Sequence, residues 1–195
     1  MALNPDAVGA TTGPVEHAWT SKDCLGSGGV VATEGEAVDA ATGEPMFTTT
    51  ASLFIRGEGG WGGDRGPSGP RNAAPDRRPD HTVTYATRRE QALLYRLSGD
   101  RNPLHADPSF AALAGFDRPI LHGLCTYGFT GRALLHALCG SDPAHFGAME
   151  GRFSKPVMPG DELTVKMWVD GGDAVFRTEN QDGDVVLDQG RLELR

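Results

Sequence analysis

The chain has 195 residues, 38% hydrophobic and 23% charged, with 26 acidic against 18 basic side chains and a formal net charge of −8. That composition describes a folded globular chain of one domain, or one domain and part of another, and excludes a disordered polymer. The acidic balance and the lack of any long Lys/Arg run exclude a nucleic-acid binder, and no apolar stretch reaches the ~18 residues of a membrane span.

Residues 1–14 show no basic stretch followed by an apolar one, so they read as an N-terminal tail and not as a signal peptide. The C-terminal run RLELR is not a peroxisomal address of the Ser-Lys-Leu type. Cys24, Cys125 and Cys139 are odd in number and have no CxxC spacing, which predicts reduced thiols in a cytoplasmic protein.

Residues 15–56 contain strand-like runs at 30–33, 45–50 and 52–55. Residues 57–80 are rich in Gly, Pro and Arg and read as a loop or linker. Within it, residues 57–62 satisfy GxGxxG, but no helix pattern follows, so a dinucleotide-binding reading fails its context. Residues 81–195 read as a complete domain with helices first and strands last. Thr87 and Glu90 form a Thr-x-x-Glu capping box, predicting a helix through Leu97 that Gly99 ends. Asp107 and Pro108 read as N-cap and first residue of a short helix that stops near Gly115. A longer, nearly uncharged helix is predicted from about Gly123 to Cys139, and its apolar surface predicts burial on most sides. Strands are expected at 162–169, 174–179 and 184–194, with Asp182-Gly183 as a hairpin turn. Residues 30–56 and 174–195 share a pattern of strand, acidic turn with Gly, and long strand, a weak internal repeat.

The segments YRLSGDRNPLH (residues 95–105) and PILHGL (residues 119–124) carry the chemistry. Asp100 and His105 are five apart with Pro103 between them, so a turn, not a helix face, must aim them at one point. An acid and an imidazole converging in an apolar pocket suit proton exchange near neutral pH. The structural alternative is an Asx-type turn, with Asp100 and Asn102 bonding backbone amides and His105 satisfied in the core. Gly123 opens the long helix, where unpaired amides sit at a positive end and a missing side chain permits close approach of an oxygen. His122 reads first as a positioned structural histidine. His17, His81, His136 and His145 have no metal-ligand spacing, and no metal is expected.

The run YRLSGDRNPLHADPSFAALAGFDRPILHGLCTYG, with Gly-Asp-x-Asn-Pro-Leu-His followed by His-Gly at a helix start, closely resembles the signature of the MaoC-like, or type 2, (R)-specific enoyl-CoA hydratases. FSKPVMPGDEL (residues 153–163) is similar to that family's strand after the helix. The resemblance implies an α+β hotdog fold, an antiparallel sheet wrapped around a central helix. It further implies a catalytic repeat at 81–195 and a partial, non-catalytic repeat at 15–56, as in the family's double-hotdog members. It also implies reversible addition of water to a trans-2-enoyl thioester, with Asp100 and His105 as the acid–base pair, Asn102 as the active-site asparagine and Gly123 as the oxyanion-hole amide. His122, Leu124 and, in the linker, Gly60, Trp61 and Gly62 are the candidates for substrate contact. No cofactor is expected beyond the coenzyme A of the substrate. The basic residues Arg71, Arg77, Arg78, Arg88 and Arg89 read as a solvated linker cluster, with coenzyme A phosphates as the alternative. A non-catalytic acyl-thioester-binding or partner subunit is the competing function, and a thioesterase the competing enzyme. The first repeat lacks its own helix, so Phe47, Leu53, Phe54 and Ile55 are expected to need cover from a second copy in a homodimer or from a partner chain.

Overall fold

A computed structural model describes the backbone of residues 17–24, 28–57 and 71–195, with side chains from residue 29 onward except at Arg56. The contacts divide the chain into two compact units, one within Leu3–Gly69 and one within Pro70–Arg195. Linker residues Gly60, Trp61 and Gly62 lie outside the described residues.

The first unit is a three-stranded antiparallel sheet of β1 (His17–Cys24), β2 (Gly28–Val38) and β3 (Pro45–Arg56), in that order. The separate β-forming runs at 45–50 and 52–55 join into one twelve-residue strand, because Ala51 pairs with Thr33 and does not interrupt the ladder. The β2–β3 turn is set by Asp39, whose Oδ1 accepts from the amides of Ala41 and Thr42 at 2.9 Å each. Phe47, Leu53 and Phe54 are 59, 59 and 54% exposed. This hairpin and β7–β8 of the second unit are both antiparallel.

The second unit contains β4 (His81–Ala86), α1 (Gln91–Tyr95), α2 (Pro108–Leu113), α3 (Gly123–Leu138), β5 (Phe146–Phe153), β6 (Glu162–Asp170), β7 (Asp173–Asn180) and β8 (Val185–Leu194). Its five strands pair antiparallel in the order β4-β6-β7-β8-β5. Leu163, Val165 and Met167 alternate inward along β6, all fully buried; Val165 and Met167 join Phe176, Leu187 and Leu192 against Ala133 and Leu134 of α3, while Leu163 packs in a second cluster with Cys125. Gly190 faces Phe176 across the β7–β8 ladder, and a Cβ there would lie 2.3 Å from the aromatic ring, so only glycine leaves room for it. A buried hydroxyl pair, Thr130 of α3 and Thr178 of β7 at 2.7 Å, ties the helix to the sheet.

Several expectations change. The capping box does not form: Glu90 is the N-cap residue of α1 and makes no side-chain cap bond. Thr87 instead donates through Oγ1 to the Asp161 carbonyl at 2.8 Å and accepts from the Gly160 amide at 2.9 Å, tying the end of β4 to the strap before β6. A tertiary partner outcompetes the local cap, and the helix is correspondingly short, passing into a 3₁₀ turn, Arg96–Ser98, that Gly99 ends at φ +124°. Helix α3 is buried along one side only, at Cys125, Thr126, Thr130, Ala133 and Leu134, while Leu124 is 65% exposed. The strand after α3 is β5, which ends at Phe153. The following stretch is a strap that accepts the Leu121 amide at the Val157 carbonyl, 2.7 Å. Residues 71–80, expected to be solvated linker, are held on the second unit. The Trp168 indole donates to the Arg77 carbonyl at 2.9 Å, and Arg77 pairs with Asp80 at 2.7 Å.

Candidate active site

The site is assembled where three pieces of backbone meet the N-terminus of α3. Gly99 turns the chain out of the 3₁₀ turn in a left-handed conformation that favours glycine, and Asp100 follows. The Asp100 Oδ1 accepts from the Asn102 amide at 3.1 Å, and the Asn102 Oδ1 accepts from the Leu104 amide at 3.0 Å. Asn102 thereby caps the 3₁₀ turn Pro103–His105, with Pro103 as its first residue. Asp107 caps α2 in turn, accepting from Ser109 at 2.8 Å, so the expected Asp-Pro helix start forms. The Asx-turn reading and the acid–base reading therefore describe the same residues. The turn uses one oxygen of Asp100 and leaves the other without a protein hydrogen bond among the described residues.

His105 is 8% exposed and its Nδ1 lies 2.8 Å from the Ile120 carbonyl. A carbonyl only accepts, so Nδ1 carries a proton, and Nε2 is left as the ring atom that can exchange one. Below it sits His122, 1% exposed, with ring centroids 3.7 Å apart and planes inclined by 26°. The His122 Nε2 donates to the Asp100 carbonyl at 3.1 Å, while its Nδ1 is buried without a partner. The Tyr95 ring lies 4.7 Å from that of His122, inclined by 46°. Burial pushes the His122 pKa below its ordinary value, with the Asp100 carbonyl opposing and His105 adding to the shift. His122 thus contacts the backbone of Asp100 and the ring of His105, and it offers almost no exposed surface for substrate contact.

One ligand-type atom from each of Asp100, His105 and His122 lies within 4.8 Å of the others. The trio has the residue types of a metal site, although the His105 Nδ1 and the His122 Nε2 are already bonded to backbone carbonyls.

Gly123 begins α3, where the first amides have no helical acceptor. A Cβ on Gly123 would sit 3.3 Å from the Phe153 ring, so the bare backbone lets that ring lie close against the helix start. Leu124 is exposed beside it. Beneath the site, Cys125 packs with Ala92, Leu121, Val157, Leu163 and Val186, and burial raises its thiol to about 11, which removes it as a nucleophile. A cavity of about 650 Å³ opens beside His105, and Arg89 and Arg118 are among its lining residues. Of these, Arg89 stood in the sequence only as one of a basic cluster, and no local pattern marks Arg118. Likewise, nothing local marks the Ile120 carbonyl that sets the His105 tautomer.

A five-stranded antiparallel sheet in the order first-third-fourth-fifth-second, packed on one long helix whose N-terminus meets an acid–imidazole pair, defines a hotdog protein. The MaoC like domain model matches residues 71–190, and the chain belongs to that family. It is 48% identical over 175 residues to 3-hydroxyacyl-thioester dehydratase Y of Mycobacterium tuberculosis, covering 86% of this chain and 60% of that protein. It is 55% identical over 126 residues to enoyl-CoA hydratase ChsH3 of the same organism, covering 65% of this chain and 44% of that one. Among solved structures, a MaoC-like dehydratase from Phytophthora capsici superposes with a TM-score of 0.84 at 36% identity, covering 92% of this chain and 63% of that one. The chain thus spans 60% and 44% of the length of those two curated relatives.

Proposed function

We propose that this chain hydrates trans-2-enoyl thioesters to (R)-3-hydroxyacyl thioesters, and catalyses the reverse dehydration. The observation that carries the reading is the meeting of the Asp100 carboxylate and the His105 imidazole within 4.8 Å beside the free amides of α3. Conjugation with the thioester makes C3 electrophilic, and attack by water there pushes charge onto the thioester oxygen. The Gly123 amide and the helix end hold that oxygen, a contribution of about 3–4 kcal/mol for one oxyanion donor. The pair carries one proton: Asp100 takes a proton from the water as its oxygen bonds to C3, and the His105 imidazolium gives one to C2. The proton count on the pair is unchanged, and transfer from Asp100 to His105 resets it. Asn102 keeps the turn in register, through the cap on the Leu104 amide.

The test is the loss of enoyl-thioester absorbance with crotonyl-CoA, read beside thiol release. Asp100→Asn and His105→Ala are each expected to lower turnover by at least ~10²-fold. Near-wild-type turnover in both variants removes the assignment. Thiol release makes the chain a thioesterase, and binding without either signal makes it an acyl-thioester-binding subunit.

The compartment belongs to the same proposal. No helix among the described residues is long and apolar enough to cross a membrane, and the three unpatterned cysteines support a reducing compartment such as the cytoplasm. We also infer that another chain, a second copy in a homodimer or a separate partner, covers the exposed Phe47, Leu53 and Phe54. A monomer in dilute solution by sedimentation, with no dye-accessible apolar surface, overturns this.

A further inference from the structure

The cavity beside His105 carries charge that the acid–base chemistry does not use. Its wall includes His105, Pro119, Gly160, Asp161 and the two exposed arginines Arg89 and Arg118. Neither arginine forms an ion pair among the described residues. Asp161, a carboxylate on that wall, is already engaged. Its Oδ2 accepts from the Met158 amide at 2.8 Å and its Oδ1 from the Gln181 side chain at 3.2 Å.

Both arginines are placed by the backbone that builds the site. The stem of Arg89 lies over Gly160, where a Cβ would meet its Cγ at 3.5 Å, and Gly160 itself has φ +101°, which favours glycine. The same strap is bonded to Thr87, two residues before Arg89. Arg118 stands two residues before Ile120, whose carbonyl sets the His105 tautomer. Two free guanidiniums on one cavity wall, in a chain of net charge −8, make a local anion site in an acidic protein. The guanidinium fork matches phosphate oxygens in pairs, and bonds of this kind are about twice as strong as neutral ones.

We infer that Arg89 and Arg118 bind a phosphate ester on the handle of the thioester whose acyl end reaches His105. This rests on the hydratase reading above. The phosphate has two sources: the pantetheine phosphate, which coenzyme A shares with the prosthetic arm of a carrier protein, or the nucleotide phosphates of coenzyme A.

The experiment compares the full chain with its Arg89→Met/Arg118→Met variant, which keeps the apolar stems and removes both charges. Calorimetry measures binding of butyryl-CoA, butyryl-4′-phosphopantetheine and butyryl-pantetheine, saturated compounds that cannot be hydrated. The native chain is expected to bind butyryl-CoA at least about tenfold more tightly than butyryl-pantetheine, a ratio the variant abolishes. Phosphopantetheine that binds like coenzyme A assigns the shared phosphate; if it binds like pantetheine, the nucleotide phosphates are assigned. Both outcomes support the site. A native chain that binds all three alike or not at all, or a variant that keeps the native ratio, overturns it. Crotonyl thioesters assayed on the same proteins separate the two conclusions. Hydration without phosphate discrimination removes only the anion site, and discrimination without hydration removes only the hydratase reading.

Discussion

The hydroxyl pair between Thr130 and Thr178 gives the sharpest test of how α3 is held to the sheet. Both residues are fully buried and their oxygens lie 2.7 Å apart. Thr130→Val removes one hydroxyl at nearly constant volume and leaves that of Thr178 without a partner, and Thr178→Val does the reverse. An unpaired buried hydroxyl costs about 1–3 kcal/mol, so each single variant is expected to lose about 2 kcal/mol. The double variant loses a bond worth about 1 kcal/mol net but leaves no orphaned group, so its loss is expected within about 1 kcal/mol. The coupling between the two positions is then about 3 kcal/mol. Urea unfolding of the four proteins measures it, with equal slopes required for the comparison. Losses that simply add refute the reasoning, because they show each threonine contributing by packing alone.

Two further outcomes follow from the same physics. Gly190→Ala forces a methyl to within 2.3 Å of the Phe176 ring and is expected to destabilise by at least about 1–3 kcal/mol, with Phe176→Leu restoring part of the loss in the double variant by thermal unfolding. Because burial lowers the His122 pKa from 6.5, the unfolded chain takes up more protons than the folded one as the pH falls. The stability contributed by His122 is complete above about 6.5 and is lost progressively below it. His122→Asn is expected to flatten that part of the stability–pH curve, and an unchanged slope between pH 6.5 and 5 shows that another group sets it.

What was legible in the chain itself was whatever depends on neighbours in sequence. The Asp107-Pro108 helix start, the Gly99 stop, the turn at Asp182-Gly183 and the strand at 162–169 are short-range backbone and side-chain effects, and all form. The turn carrying Asp100, Asn102 and His105 is likewise local, since Pro103 and two Asx side chains close it without outside help. Strands β4 and β5 were not legible: HTVTYA is too short and polar-rich to stand out, and FGAMEGRF is interrupted by two glycines. The Gly147 position shows why such a glycine belongs there, since a Cβ would fall 2.6 Å from the Glu193 carbonyl of the neighbouring strand. The Thr87 cap failed as a local rule because its hydroxyl found Gly160 and Asp161, more than 70 residues away. Only the tertiary structure decided that His122 lies beneath His105, that Ile120 sets the tautomer, and that Arg89 and Arg118 share one cavity. Those relations join segments that nothing in local propensity brings together. They arise because the sheet closing on α3 leaves one helix end where the three segments must meet.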